Sequence, residues 1–306
     1  MKRPNGTDAL LADVRHVGEK VVDVAGAQES VAVALALRLQ PFQLCAVMLD
    51  LEIAGVVTQR VLSLPLAKAM AEATLGDEAE WVLKVASEGQ TPTRAAVIGG
   101  RPDAPDFAAY IKKYVSHRLC RGVRRVLHSS ATPAGYCLRP EFVRGVRLLG
   151  AADRSFDLCM RAPELMDAAK LAELCPDTRF VLDHCGNPDL KCFRPLRSGE
   201  DKPRHTADDW KRAIDALAKR PNVAVKTSCL PQFTTDKYPF KFWHPYLKQV
   251  HAAYGPKRMF WGSDLSRLPC PLKDCVTMFT EHMPFFSAQD MEWIMGRGIC
   301  EWIAWK

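Results

Sequence analysis

Short apolar runs alternate with longer stretches of helical periodicity from about residue 90 onward. Each run is mostly apolar, as a parallel strand covered on both faces should be. This alternation indicates βαβ units around a parallel sheet. The predicted strands are Arg94–Ile98, Gly122–Leu127, Phe156–Met160, Arg179–Leu182, Val223–Lys226 and Arg258–Trp261.

The segments between these strands predict helices, and some of them open with residues that favour a helix start. Ala162, Pro163 and Glu164 place a proline and an acid in a first turn, and Ser287 is a candidate N-cap. The predicted helices are Pro105–Arg118, Pro140–Ala151, Ala162–Leu174, Ala207–Arg220, Trp243–Tyr254 and Ser287–Trp302.

The first 90 residues contain two further candidate strands, Lys20–Val24 and Leu44–Leu51, and a long helical stretch, Pro65–Ser87. Together with the six later strands they make eight, and no linker or change of composition divides the chain. We therefore predict a single (β/α)8 barrel over residues 1–306, with an open doubly wound sheet as the alternative.

Composition and charge indicate a globular protein and disfavour nucleic acid as its ligand. The chain has 306 residues, of which 48% are hydrophobic and 25% charged, which is typical of a globular domain with a full-sized core. The net charge of +7 is spread along the chain rather than held in a tail. It therefore favours a small anionic substrate over nucleic acid.

The cysteines and the apolar runs indicate the compartment in which the protein is expected to function. The 11 cysteines form an odd set without C-x-x-C spacing, and the N-terminal segment lacks an apolar leader. Both features predict reduced thiols and a cytoplasmic protein. No apolar run is long enough to span a membrane, so we expect no membrane partner, while a homo-oligomer stays open.

In a parallel barrel, catalytic groups lie where strands run into the following loops. His184 follows Arg179–Leu182 and can act as a metal ligand, an acid or a base. Asp264 follows Arg258–Trp261 and can deprotonate a water or bind a metal. Asp183 precedes His184, and an extended chain would point it the other way, which indicates a structural role.

Three further residues are candidates for substrate binding: His128, Arg161 and Arg267. Each follows a predicted strand, and a guanidinium suits a substrate carboxylate because it donates two parallel hydrogen bonds. Arg124 and Arg125 alternate along one strand, so at most one of them can point into the barrel.

Three segments together resemble the amidohydrolase-related proteins often called amidohydrolase family 2: FVLDHCGNP (180–188), RMFWGSD (258–264) and CRGVRRVLH (120–128). This family includes sugar-lactone and pyrone-dicarboxylate lactonases and some decarboxylases. The resemblance extends over about residues 76–306. It implies a (β/α)8 barrel in which Asp264 is the general base toward water, and His184 binds a metal or polarises the scissile carbonyl.

The first 75 residues depart from the family pattern. The family has D-x-H-x-H at the end of its first strand, whereas this chain has no H-x-H segment. The nearest match places Asp23 at the aspartate and Ala25 and Ala27 at the two histidines. True divergence and an incorrect gene model both explain this. The departure favours a metal-independent or degenerate site over a binuclear one. The alternative is one divalent ion (Zn or Mn) held by His128, His184 and Asp264.

These features lead to a hydrolase that opens a lactone or similar cyclic ester of a small carboxylic or sugar acid. Asp264 is the predicted base, His184 the group that polarises the carbonyl, and Arg161, His128 and Arg267 the substrate contacts. A decarboxylase on the same fold is one alternative, because it also needs an acid and a histidine around a carboxylate. A catalytically degenerate barrel that binds a small acid or a partner protein is the other.

Overall fold

Six parallel strands form one sheet in which the spatial order is the order of the sequence. The structure is a computed structural model that describes residues 78–88, 93, 95–129, 132–234, 236–264 and 268–304. A doubly wound sheet reverses its strand order at a switch point. The described strands show no reversal, so they form an arc of a barrel, and this arc is not closed within the described ranges.

All six strands predicted in this part of the chain are present, with ends shifted by two residues at most. The predicted strands Lys20–Val24 and Leu44–Leu51 lie outside the described residues. The observed strands are β1 (Ala96–Gly99), β2 (Cys120–Val126), β3 (Ser155–Cys159), β4 (Arg179–Leu182), β5 (Val223–Thr227) and β6 (Met259–Trp261).

The helices agree with the predicted segments, with one addition. The described part of the predicted stretch Pro65–Ser87 is helical, the segment at 105–118 ends in a π-helical turn, and the segment at 287–302 is divided by one. The helices are α1 (78–88), α2 (Phe107–Tyr110), α3 (Pro140–Ala151), α4 (Leu165–Leu174), α5 (Ala207–Ala218), α6 (His244–Tyr254), α7 (Leu272–Thr280), α8 (Ala288–Glu292) and α9 (Gly298–Trp302).

Helix α7 was not predicted. Prolines flank its sequence, and Val276 and Thr277 are β-branched residues with lower helix propensity. Its apolar side chains Cys275, Val276, Met278 and Phe279 are nonetheless buried in the core. Tertiary packing therefore stabilises a helix that local propensity does not indicate.

The two faces of the sheet have different partners. Phe156, Leu158 and Phe180 belong to the large apolar core with α3, α4 and α5. Successive residues of a strand point to opposite faces, so Val181 and Ala224 face the barrel interior. There they pack with Phe260 and with Ile299 and Ile303 near the C-terminus.

Candidate active site

His184, Cys229 and Asp264 follow three neighbouring strands, β4, β5 and β6, and each has a left-handed backbone. Their φ angles are 50°, 63° and 51°, and each side chain is almost entirely buried. This conformation costs a non-glycine residue roughly 1–3 kcal/mol and is concentrated at functional sites. Three such residues at adjacent strand ends make this edge of the sheet the candidate site.

The three side chains converge. A ring nitrogen of His184, the Sγ of Cys229 and a carboxylate oxygen of Asp264 all lie within 4.8 Å of one another. The structure thus brings together His184 and Asp264, which the sequence predicts as the catalytic pair. It adds Cys229, a residue that the strand-exit reasoning missed although it stands two positions after β5.

Ser228 fixes the orientation of the imidazole. The Nδ1 of His184 and the Oγ of Ser228 are 2.7 Å apart and both are buried. If the hydroxyl donates, Nε2 carries the proton and can donate to a carbonyl oxygen. If Nδ1 donates instead, Nε2 has a lone pair for a metal ion. Both roles predicted for His184 are therefore compatible with this contact.

A buried charge network lies directly beneath the site. The Nζ of Lys226 on β5 donates to Asp157 Oδ2 on β3 at 3.2 Å and to Asp183 Oδ1 at 2.9 Å. Arg124 on β2 approaches Asp183 Oδ2 at 3.6 Å. The structural role predicted for Asp183 fits this position, and Arg124, rather than Arg125, is the arginine of the pair that points inward.

The two carboxyl groups of this network differ in acidity. Burial opposes the ionisation of Asp183, but the positive charges of Lys226 and Arg124 outweigh it and hold its pKa well below the usual value. Burial raises the pKa of Asp157, which Lys226 only partly offsets. Asp183 therefore keeps its negative charge next to His184.

A cleft of about 1220 Å³ opens above the three converging residues. His128 and Arg161 line it, as the sequence predicts for substrate contacts, and His128 is exposed. His128 is not part of the group formed by His184, Cys229 and Asp264. The third predicted substrate contact, Arg267, lies outside the described residues.

Arg161 is extensively hydrogen-bonded within the protein. Its guanidinium forms a bidentate ion pair with Glu164, and it also donates to the carbonyl oxygens of Ser129 and Thr132 at 2.8 Å each. These contacts use most of its five N–H donors. Arg161 therefore ties the loop after β2 to the start of the segment before α4.

We expect Arg161→Gln to lower the free energy of unfolding by about 1.5–3 kcal/mol, because hydrogen bonds to charged groups are lost from a half-buried site. Denaturant unfolding measures this change. Arg144→Gln, which removes an exposed pair with Glu141, is the matched control and should cost less than about 1 kcal/mol. Equal effects of the two substitutions would contradict the anchoring role.

The segment after β4 supplies much of the cleft wall and was not predicted to do so. It contributes Lys191, Arg194, Lys202, Arg204 and His205, among others. The segment is anchored, since the ring of Phe193 packs on Trp210 and Tyr246 and Arg194 pairs with Glu200. Its sequence signal is a cationic, aperiodic run that directly follows His184.

The sequence model of the amidohydrolase family (Amidohydro_2) matches residues 59–297. The chain belongs to this family. Its resemblance to amidohydrolase family 2 is therefore confirmed, and so is the barrel fold. Among the described residues, no helix is long and apolar enough to cross a membrane.

Two curated relatives of this amidohydrolase are named L-fucono-1,5-lactonase. The protein from Burkholderia multivorans is 27% identical over 195 residues, which cover 61% of this chain and 62% of the relative. The protein from Burkholderia ambifaria is 29% identical over 195 residues, covering 63% of this chain and 62% of the relative. The chain thus spans less than two thirds of the length of these relatives.

Solved structures show the same fold. An amidohydrolase from Burkholderia multivorans with bound HEPES is 23% identical, has a TM-score of 0.64, and is matched over 80% of this chain and 89% of its own. A 2,6-dihydroxybenzoate decarboxylase is 15% identical, has a TM-score of 0.54, and is matched over 78% of this chain and 78% of its own. Proteins named as hydrolases and as decarboxylases share this barrel, so the fold alone does not select the reaction.

Proposed function

We propose that this amidohydrolase hydrolyses a lactone of a small sugar or carboxylic acid. The observation that carries the proposal is the convergence of His184 and Asp264, both buried, at the floor of a large cleft. An acid and an imidazole placed together can activate water and polarise a carbonyl group. The names of the two curated relatives support the choice of a lactone.

In the proposed reaction, the carboxylate of Asp264 accepts a proton from a water molecule as the water oxygen attacks the lactone carbonyl. Without a bound ion, the Ser228 hydroxyl donates to His184 Nδ1, so that Nε2–H donates to the developing oxyanion. With an ion on Nε2, Nδ1 would instead donate to Ser228, and the ion would polarise the carbonyl. The tetrahedral intermediate then collapses, the ring C–O bond breaks, and the alkoxide takes the proton from Asp264. The net change is the addition of one water to the ester.

Most of the lysines and arginines that line the cleft are already paired, which favours a small substrate with a low negative charge. Arg161, Lys191 and Arg194 line the cleft, but each of them has an acidic partner. These partners are Glu164, Asp189 and Glu200, respectively. Lys202 and Arg204 are exposed at the rim, where they can attract the small anionic substrate expected from the net charge.

The site also fits one divalent metal ion. His184, Cys229 and Asp264 offer nitrogen, sulfur and oxygen donors, and three protein ligands with one open position are the usual set for a catalytic zinc. A bound ion would supply Lewis-acid polarisation of the carbonyl. The similar Burkholderia multivorans structure was also solved with bound zinc, which supports zinc among the two metals considered.

A lactone panel tests the proposed activity. The full chain, prepared with and without added zinc, is incubated with sugar-acid lactones and carboxylated lactones while acid release and carbon dioxide are recorded. We expect acid release from at least one lactone and no carbon dioxide. Carbon dioxide from aromatic carboxylates without lactone opening would overturn the proposal in favour of a decarboxylase. Saturable binding without turnover would overturn it in favour of a binding protein.

A further inference from the structure

We propose that Cys229 is a thiolate ligand, which with His184 and Asp264 makes a mononuclear site for a thiophilic divalent ion such as zinc. The inference concerns ion binding and does not depend on the substrate. The ligand set predicted from the sequence was His128, His184 and Asp264. The structure replaces His128 with a sulfur donor.

The sulfur of Cys229 is buried close to the donor atoms of His184 and Asp264. The Sγ of Cys229 lies within 4.8 Å of donor atoms on both His184 and Asp264, and the side chain is 2% exposed. The three residues follow consecutive strands of one sheet by two or three positions, and each has a left-handed backbone. The sulfur therefore belongs to the same cluster of strand-end donors as the two predicted catalytic residues.

The residues that contact His184 and Cys229 also favour ion binding. The Ser228 hydroxyl contacts Nδ1 of His184, which leaves Nε2 as the nitrogen for an ion, and such outer contacts orient ligating histidines. The Cys229 thiol donates to Oε1 of Gln232 at 2.6 Å. On ion binding this proton leaves to solvent, and sulfur binds as the thiolate.

The donor chemistry selects the ion. Thiolate is a soft ligand that suits zinc, whereas manganese and magnesium prefer carboxylate, carbonyl and water oxygens. With a sulfur among three ligands, zinc and cobalt should bind much more tightly than manganese. His184, Cys229 and Asp264 all line the cleft, so an ion held by these three ligands would be able to take water or a substrate oxygen as a fourth ligand.

Cobalt substitution tests the sulfur ligand directly. The full chain is stripped with a chelator, reduced, and titrated with Co²⁺ while the absorption spectrum is recorded. We expect one strongly bound ion per chain, with a near-ultraviolet thiolate-to-cobalt charge-transfer band. Cys229→Ser should remove this band. It should also weaken zinc binding by at least 10–100-fold, the range seen when only an outer contact of a ligand is removed.

Two further variants keep the test decisive. Cys229→Gly also removes the sulfur, and glycine accepts the left-handed backbone at this position, so it should fold even if Cys229→Ser does not. Cys192→Ser changes a cysteine that contacts His205 outside the cluster and should keep the band. Zinc should raise the midpoint of thermal unfolding of the wild type and of Cys192→Ser. The rise should be much smaller for Cys229→Gly, because zinc binds this variant more weakly.

Three results would overturn the proposal. The first is stoichiometric cobalt binding without a charge-transfer band, because the ion would then have only nitrogen and oxygen ligands. The second is a band that persists in Cys229→Gly. The third is the absence of tight zinc or cobalt binding to the stripped chain. The lactone panel can still succeed in all three cases, so failure of the metal site is distinguishable from failure of the proposed activity.

Discussion

Asp264→Asn is expected to lower kcat/KM for lactone opening by about 10²- to 10⁴-fold, the usual contribution of a positioned general base. The amide has the size of the carboxylate but cannot take a proton from water. Asparagine also tolerates the left-handed backbone that residue 264 adopts, so the fold should persist. Steady-state kinetics on whichever lactone the wild type turns over measures the effect.

Asp236→Asn provides the matched control for this experiment. Asp236 lines the same cleft but is exposed, and its substitution removes the same charge without touching the strand-end cluster. We expect kcat/KM to change less than tenfold. A tenfold change would correspond to about 1.4 kcal/mol of lost transition-state stabilisation. Near wild-type turnover of Asp264→Asn would show that another group activates the water.

Lys226→Met should lower the free energy of unfolding by about 3–5 kcal/mol, because it leaves Asp157 and Asp183 buried without their shared cation. The ammonium lies within hydrogen-bonding distance of both carboxylates, whereas the Arg124 guanidinium is 3.6 Å from Asp183 Oδ2. Urea denaturation of the full chain measures the loss, provided that the slope of the transition stays unchanged.

The comparison with two other variants separates charge from volume. Lys211→Met changes an exposed lysine of α5 and should alter stability by no more than about 0.5 kcal/mol. The double variant Lys226→Met, Asp157→Asn should recover part of the loss, since one uncompensated carboxylate is removed. A double variant that is less stable than Lys226→Met would show that the loss does not come from uncompensated buried carboxylates.

Much of the sheet could be predicted because buried parallel strands are short apolar runs separated by helical segments. The strand-exit rule then located His184 and Asp264 without any knowledge of their distance. The sequence also predicts that at most one of Arg124 and Arg125 points into the barrel. Arg124 reaches Asp183 inside the barrel, while Arg125 lies near Tyr136 and Asp103 on the other face of the sheet.

The remaining site features depend on contacts between segments that are distant in sequence. Cys229 has the residue type of a buried thiol, and only the alignment of β4, β5 and β6 places its sulfur beside His184 and Asp264. The partners of Arg161 include two backbone carbonyls about thirty positions earlier, and carbonyls carry no sequence signal. Position in the fold, rather than residue type, decides both roles.

The packing of Ile299 and Ile303 on Val181, Ala224 and Phe260 has a consequence for synthesis on the ribosome. Side chains that are synthesised well after β6 therefore cover part of the interior face of these strands. Nascent chains that end before this segment expose apolar surface and a partly covered sheet, which favours aggregation. The segment around residue 300 thus determines when these apolar side chains of β4, β5 and β6 become protected.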